Sequence, residues 1–196
     1  MTIKVVIFDL GGVLIPDFFT PETADYISKK HGKNWWKVRT VAAIYWNKVS
    51  KGEITPEEYF RGIVQSLGLE MPPEKLEQIL KSKLKPNSRV RRLIKRLDKK
   101  GYKVVALSNY ARDWVEAEIS GLFYKTFISS DFDMIKPGLS IYQKVLKDLA
   151  VPAGECLFID NHERNLLPAR LLGFKVLKFE GYEKLVDDLK EMGVKI

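Results

Sequence analysis

Ile3-Lys4-Val5-Val6-Ile7-Phe8-Asp9-Leu10-Gly11-Gly12 is the stretch on which the reading of this chain turns. Residues 3–8 form a short, β-branched apolar run without polar alternation. Such a strand is expected to be buried on both faces, as in a parallel sheet. Asp9-Leu10-Gly11-Gly12 then breaks the run. Ligands of open parallel sheets bind beyond the carboxyl ends of the strands, so this acid stands where chemistry is usually done.

The pattern changes after that break. From about residue 21 to 84 the sequence predicts three or four helices with no strand between them. Thr20-Pro21-Glu22 is a helix start, with Thr as cap and Pro in the first turn. Thr55-Pro56-Glu57-Glu58 repeats the signal, and Met71-Pro72-Pro73-Glu74 offers another. From Pro86 onward, helices over 88–100, 111–120, 140–149, 163–172 and 182–191 alternate with strands over 102–107, 126–129, 156–159 and 175–179. That alternation predicts an α/β fold, a three-layer Rossmann-like parallel sheet core. The helical block interrupts the scheme after strand one and reads as an insertion. Residues 1–15 and 86–196 are expected to form the core, and residues 16–85 a helical cap.

Composition narrows the function classes. The 196 residues suit one such domain with a modest insertion. With 45% hydrophobic and 30% charged residues, the chain reads as soluble and globular. No run approaches the ~18 apolar residues of a membrane span. Residues 1–5 enter the first strand at once, so no signal or transit peptide is visible. One cysteine, Cys156, rules out an internal disulfide, and a reducing cytoplasm is the expected compartment. The net charge of +8 suits an anionic ligand. The densest basic cluster, Arg89, Arg91, Arg92, Lys95, Arg96, Lys99 and Lys100, shares its helix with Val90, Leu93, Ile94 and Leu97 at helical spacing. It therefore reads as the wet side of an amphipathic helix, not as a nucleic-acid surface. No nucleic-acid or membrane partner is expected, and a monomer or a homodimer fits equally.

Four polar groupings follow strands or lie in the loops after them: Asp9-Leu10-Gly11-Gly12, Ser108-Asn109, Lys136-Pro137 and Asp160-Asn161. Each has an ordinary structural reading as a turn, a helix cap or a loop dipeptide. Their joint occurrence, in this order, is what phosphoryl transfer requires. A carboxylate can attack phosphorus and form an acyl phosphate. A divalent metal removes the repulsion between that carboxylate and an anionic substrate. A lysine, a hydroxyl and an amide can hold the phosphate oxygens.

The set resembles the haloacid dehalogenase superfamily, most of whose members are phosphatases. Phe8-Asp9-Leu10-Gly11-Gly12-Val13-Leu14 resembles its first motif, Leu107-Ser108-Asn109 the second, Lys136-Pro137 the third and Phe158-Ile159-Asp160-Asn161 the fourth, with Asn165 and Gly173 continuing it. The helical insertion is similar to the family's C1-type cap. Lys51-Gly52-Glu53-Ile54-Thr55 resembles a segment of the subgroup that contains bacterial α-D-glucose-1-phosphate phosphatase and the N-terminal phosphatase domain of soluble epoxide hydrolase. The resemblance implies magnesium-dependent hydrolysis of a small phosphorylated metabolite, such as a sugar phosphate, through an aspartyl-phosphate at Asp9. It implies that Ser108, Asn109 and Lys136 bind phosphate, and that Asp9, the Gly11 carbonyl, Asp160 and Asn161 bind Mg2+.

Two positions depart from the family pattern. Gly11 stands where the usual motif has the acid that protonates the leaving group, a function worth about 10²–10⁴ in rate. Asn161 stands where a second acid is usual, which predicts weaker magnesium binding because hard cations prefer carboxylates. Together they raise an alternative, a weakly active or inactive protein that binds a phosphorylated ligand or a protein partner. A metal-free dehalogenase fits the Asp-Leu-Gly-Gly motif poorly. Asp131 and Asp133 are candidate substitute acids near Lys136, although a plain loop role or a pairing with Lys136 is the simpler reading. His162 could add a ligand or a proton shuttle, while a solvent-facing position in the first helical turn is its default, as for Glu163; His31 falls in the cap. Trp35, Trp36 and Trp46 with Lys37, Arg39 and Lys48 could line a substrate pocket, but at least two of these tryptophans read as cap core. Phe18 and Phe19 belong to the hinge or the entrance.

Overall fold

The structure is a computed structural model that describes residues 2–196; Met1, part of the expected core segment 1–15, lies outside the described residues. The first strand, β1 (Val5–Phe8), is buried at every position. It pairs in parallel with β2 (Lys103–Ser108) on one side and β4 (Cys156–Asp160) on the other. β3 (Lys125–Ile128) extends the sheet beyond β2, and β5 (Lys175–Lys178) extends it beyond β4. The order is therefore β3-β2-β1-β4-β5, all parallel. The chain leaves β1 toward one edge and returns to its other side at β4, so the crevice of such a sheet opens at the carboxyl ends of these two strands.

The missing alternation in residues 3–8 has its physical cause here. Val6 and Phe8 face one hydrophobic layer with Leu93 and Ile94 of α5 (Ser88–Lys99) and Leu189 of α9 (Tyr182–Glu191). Val5 and Ile7 face the other, with Tyr142 and Val145 of α7 (Leu139–Leu149) and Leu166 of α8 (Glu163–Leu171). Successive side chains of a strand point to opposite faces, so a strand covered on both must be apolar throughout. Three layers result. The basic residues of α5 lie outside the stripe of Val90, Leu93, Ile94 and Leu97, all fully buried.

Four helices lie between β1 and α5: α1 (Pro21–His31), α2 (Trp35–Lys51), α3 (Pro56–Leu67) and α4 (Pro73–Lys81). Their starts are those the sequence marks. Thr20 accepts from the Thr23 N–H, and Thr55 forms a reciprocal capping box with Glu58. The block is tied to the sheet through aromatic packing. Phe18 stacks on Trp114 of α6 (Arg112–Ile119) with centroids 4.2 Å apart, and Trp46 of α2 stacks against both. The Ser129 hydroxyl, in the short 3-10 turn that follows β3, donates to the Ser50 carbonyl at the end of α2.

Differences from the expected boundaries are small and have a pattern. β2 and β4 each run one residue further, taking in Ser108 and Asp160, because these pair with Ile128 and Lys178 across the sheet. β3 starts and ends one residue early, since Ser129–Asp131 turn into a 3-10 helix.

The fully buried Ile7 in the central strand should be far more sensitive than the exposed Leu171. Ile7→Ala is expected to cost about 2–5 kcal/mol in denaturant unfolding, and Leu171→Ala within about 0.5 kcal/mol.

Candidate active site

Asp9 follows β1 directly, its N–H bonded to the Ile159 carbonyl of β4 at 2.8 Å. Asp160 ends β4. Between them stands the Lys136 ammonium, 2.8 Å from Asp9 Oδ1 and 2.7 Å from Asp160 Oδ2. All three residues are buried. Asp160 is satisfied on every side: it accepts from the His162 N–H at 2.8 Å and from Asn165 Nδ2 at 3.0 and 2.9 Å. Asp9 Oδ1 also accepts from the Leu10 N–H at 2.6 Å.

Lys136 comes from a loop, and Asn109 fixes that loop. Asn109 Oδ1 accepts from the Lys136 N–H and Asn109 Nδ2 donates to the Lys136 carbonyl, both at 2.9 Å. The Lys136-Pro137 peptide is cis. The Ser108 side chain accepts from the Tyr110 N–H at 3.2 Å and does not cap α6, whose N-cap is Ala111. Ser108 keeps its own proton to donate.

Electrostatics divide the three charges. Burial pushes the Asp9 carboxyl up, Lys136 pulls it back, and the charge of Asp160 adds to the rise, leaving it at about 8. Asp160 is buried too, but Lys136, the His162 N–H and Asn165 outweigh that and hold it below the usual carboxylate range. Burial alone would lower Lys136; Asp9 and Asp160 overcome it and keep the ammonium charged. A dry site disfavours net charge, so two carboxylates facing one ammonium favour keeping one proton between them, and the upward shift falls on Asp9 while Asp160 is held ionised.

A cavity of about 440 Å³ opens over this cluster. Asp9, Gly11, Ser108, Asn109 and Lys136 line it, as does His162; the lining does not include the buried Asp160 or the half-buried Asn161. From the helical block, Phe18, Phe19, Arg39 and Trp46 reach it. Trp35 is half-buried against the core, whereas Trp36 is 73% exposed and contributes to neither core nor cavity. Lys37 and Lys48 lie away from it. Asp131 pairs with Arg112, not Lys136, and Asp133 is not in the cavity wall. Glu163 pairs with Arg170.

Asp17, Tyr110 and Arg164 are among the lining residues that sequence reasoning missed, as are Ala42 and Ala43. Asp17 has a direct bearing on Gly11. A Cβ built on Gly11 would lie 3.3 Å from Asp17 Oδ1 and 3.0 Å from Tyr110 Cε2. The Tyr110 hydroxyl donates to the Pro16 carbonyl at 2.6 Å, which fixes the segment carrying Asp17. The signal was available in position only: Asp17 lies in the link between first strand and first helix, and Tyr110 directly follows Asn109.

The donor set suits a hard cation. The Asn161 Oδ1 atom is buried without a hydrogen-bond partner among the described residues. No hydrogen bond among these residues takes the Gly11 carbonyl either. Gly12 has φ +69°, and a Cβ there would come 2.0 Å from Asn161 Nδ2, so only glycine lets Asn161 approach this loop. Free oxygen acceptors beside two carboxylates are what magnesium coordination needs.

Residues 3–173 match the family profile of haloacid dehalogenase-like hydrolases. The chain is a haloacid dehalogenase-like hydrolase. It is 27% identical to the sesquiterpene phosphatase astK of Aspergillus oryzae, over 88% of this chain and 87% of that one. It is 25% identical to flavin mononucleotide hydrolase 1 of Arabidopsis thaliana, over 93% of this chain and 71% of the relative. A crystal structure of a HAD family enzyme from Bacteroides thetaiotaomicron, in complex with magnesium and inorganic phosphate, superposes with a TM-score of 0.75 at 26% identity, covering 93% of this chain and 98% of that one. No helix among the described residues of the hydrolase is long and apolar enough to cross a membrane.

The raised Asp9 pKa has a measurable consequence in metal-free hydrolase. Between about pH 4 and 8 the folded carboxyl holds a proton that the unfolded one has lost. The folded state thus binds more protons, and stability falls as pH rises through that window. In EDTA the melting temperature is expected to drop from pH 5 to pH 8.5, and Asp9→Asn should remove much of that slope.

Proposed function

We propose that this hydrolase is a magnesium-dependent phosphatase that cleaves a small phosphate monoester through an aspartyl-phosphate on Asp9. The observation that carries the reading is the buried Lys136 between Asp9 and Asp160 at the floor of the cavity. A fixed ammonium beside the nucleophile offsets the charge of an incoming phosphate. The names of the relatives, a sesquiterpene phosphatase and a flavin mononucleotide hydrolase, support phosphate-ester chemistry. So does a neighbour crystallised with magnesium and phosphate.

In this reading residues 16–85 act as a cap over a core of residues 1–15 and 86–196. Asp9, the Gly11 carbonyl, Asp160 and Asn161 hold Mg2+, which neutralises phosphate charge when bound. Lys136 and the Ser108 hydroxyl hold the phosphoryl oxygens. The second amide proton of Asn109 is free to join them, while its main work is to pin Lys136. The Asp9 carboxylate attacks phosphorus, the ester P–O bond breaks, and the leaving oxygen takes a proton. Water then attacks phosphorus and releases phosphate, returning Asp9. Asp17 is the carboxylate beside the place that Gly11 leaves without an acid, and no hydrogen bond or ion pair among the described residues engages it. It is placed to exchange the proton. The small substrate, the cytoplasm and a monomeric or homodimeric state complete the reading. The alternative, a binding protein without turnover, rests on Gly11 and Asn161.

Phosphate release from a broad ester panel decides between them. With Mg2+ the hydrolase is expected to turn over, EDTA to stop it, and Asp9→Asn to lower kcat by at least about a thousandfold. Ligand-induced stabilisation with no release from any ester would favour the alternative. Asp17→Asn should lower kcat by about 10²–10⁴ with a smaller change in KM. An unchanged kcat would remove Asp17 from the scheme.

A further inference from the structure

The floor of the cavity accounts for one phosphate, but its mouth carries charge that this phosphate does not use. Arg39 reaches the cavity from α2 of the helical block, and Arg164 reaches it from the first turn of α8, which packs on the sheet. Arg61, Arg89, Arg91, Arg112 and Arg170 are each paired with a carboxylate. Among the described residues, Arg39 and Arg164 are not. Arg39 donates through Nη1 to the Phe19 carbonyl at 3.3 Å and lies over the Trp35 ring at 5.7 Å, contacts that aim the guanidinium and leave most of its donors free. Arg164 has no hydrogen bond or ion pair among the described residues; the acid beside it, Glu163, turns to Arg170 instead. The other two arginines without an acid, Arg92 and Arg96, sit on α5 outside the cavity.

Arg39, Ala42, Ala43 and Trp46 follow helical spacing and present one face of α2 to the cavity. The two alanines leave width, and the indole supplies a flat apolar wall. A volume of about 440 Å³ lies within the range of small-molecule sites and exceeds the need of a phosphate group alone. Guanidinium groups prefer planar or tetrahedral oxyanions, which they hold with paired N–H donors.

We propose that the leaving group of the substrate carries a second anionic group, a carboxylate or a phosphate, held by Arg39 and Arg164 while its carbon skeleton lies against Ala42, Ala43 and Trp46. This rests on the phosphatase reading and specifies its substrate class. Arg39 and Arg164 are specificity residues that touch the leaving group, not the reacting phosphorus.

Matched aryl esters test it: phenyl phosphate, 4-carboxyphenyl phosphate, its methyl ester, and hydroquinone bisphosphate, each with Mg2+. The expected result is a kcat/KM at least about tenfold higher for the two esters with a second anion than for the two without, expressed mainly in KM. The carboxylate and bisphosphate arms tell which oxyanion is preferred. Arg39→Ala and Arg164→Ala should each bring that ratio toward one, and Arg39→Lys and Arg164→Lys should restore part of it. Equal kcat/KM across the four esters, or a preference that survives both alanine substitutions, would overturn the inference while leaving the phosphatase reading intact. No turnover of these four, nor of any ester in the broad panel, would overturn the phosphatase reading instead. Calorimetric binding of the same four esters to Asp9→Asn then still decides the second anion, since a preference abolished by Arg164→Ala supports it and equal affinities contradict it.

Discussion

Lys136 is held 2.8 Å from Asp9 and 2.7 Å from Asp160, where all three groups are almost shut off from water. Such a cluster is costly to bury and survives only when every charge is matched and hydrogen-bonded. Much of the surrounding structure serves that need. Asn109 clasps the main chain of Lys136, Asn165 and the His162 N–H hold Asp160, and the Leu10 N–H holds Asp9. The central strand brings Asp9 beside Asp160 because β1 and β4 are neighbours in register, Phe8 opposite Ile159. Removing one partner would leave an unpaired buried charge, so these residues act as a unit.

The same cluster explains how one site can be stable without a metal and still suit one. In the metal-free state the ammonium serves both carboxylates, and burial with the charge of Asp160 pushes the Asp9 carboxyl up. Among the described residues, no hydrogen bond takes the Asn161 Oδ1 atom or the Gly11 carbonyl. A cation held there would give those atoms a partner and favour an ionised Asp9, the form that the proposed mechanism needs.

The sheet was legible from the apolar run of residues 3–8 and from the alternation after Pro86, because burial on both faces leaves no choice of residue type. The helix starts at Thr20 and Thr55 were legible because capping is local chemistry. Asp9, Ser108 and Asn109 are legible because each sits at or just after a strand end, and Lys136 because it lies in the loop between β3 and α7; all four line one cavity. What the sequence hid was side-chain direction. It could not tell that Asp131 turns to Arg112 while Asp17 turns to Gly11, or that Trp46 reaches the cavity and Trp36 does not. Those choices depend on packing between the helical block and the sheet, through Phe18, Trp46 and Trp114, which no local pattern encodes. Asn109 shows the same limit: its place was readable, but its bonds to the Lys136 main chain depend on a loop 27 residues away.

The nucleophile is the centre of the account, and it can be caught directly. The hydrolase, mixed with a radiolabelled phosphate ester and Mg2+ and quenched in acid during turnover, should carry a phosphoryl group on the peptide that contains Asp9. That label should be released by hydroxylamine, as an acyl phosphate is. Turnover with no label on the protein, or with a label on any other residue, would contradict it.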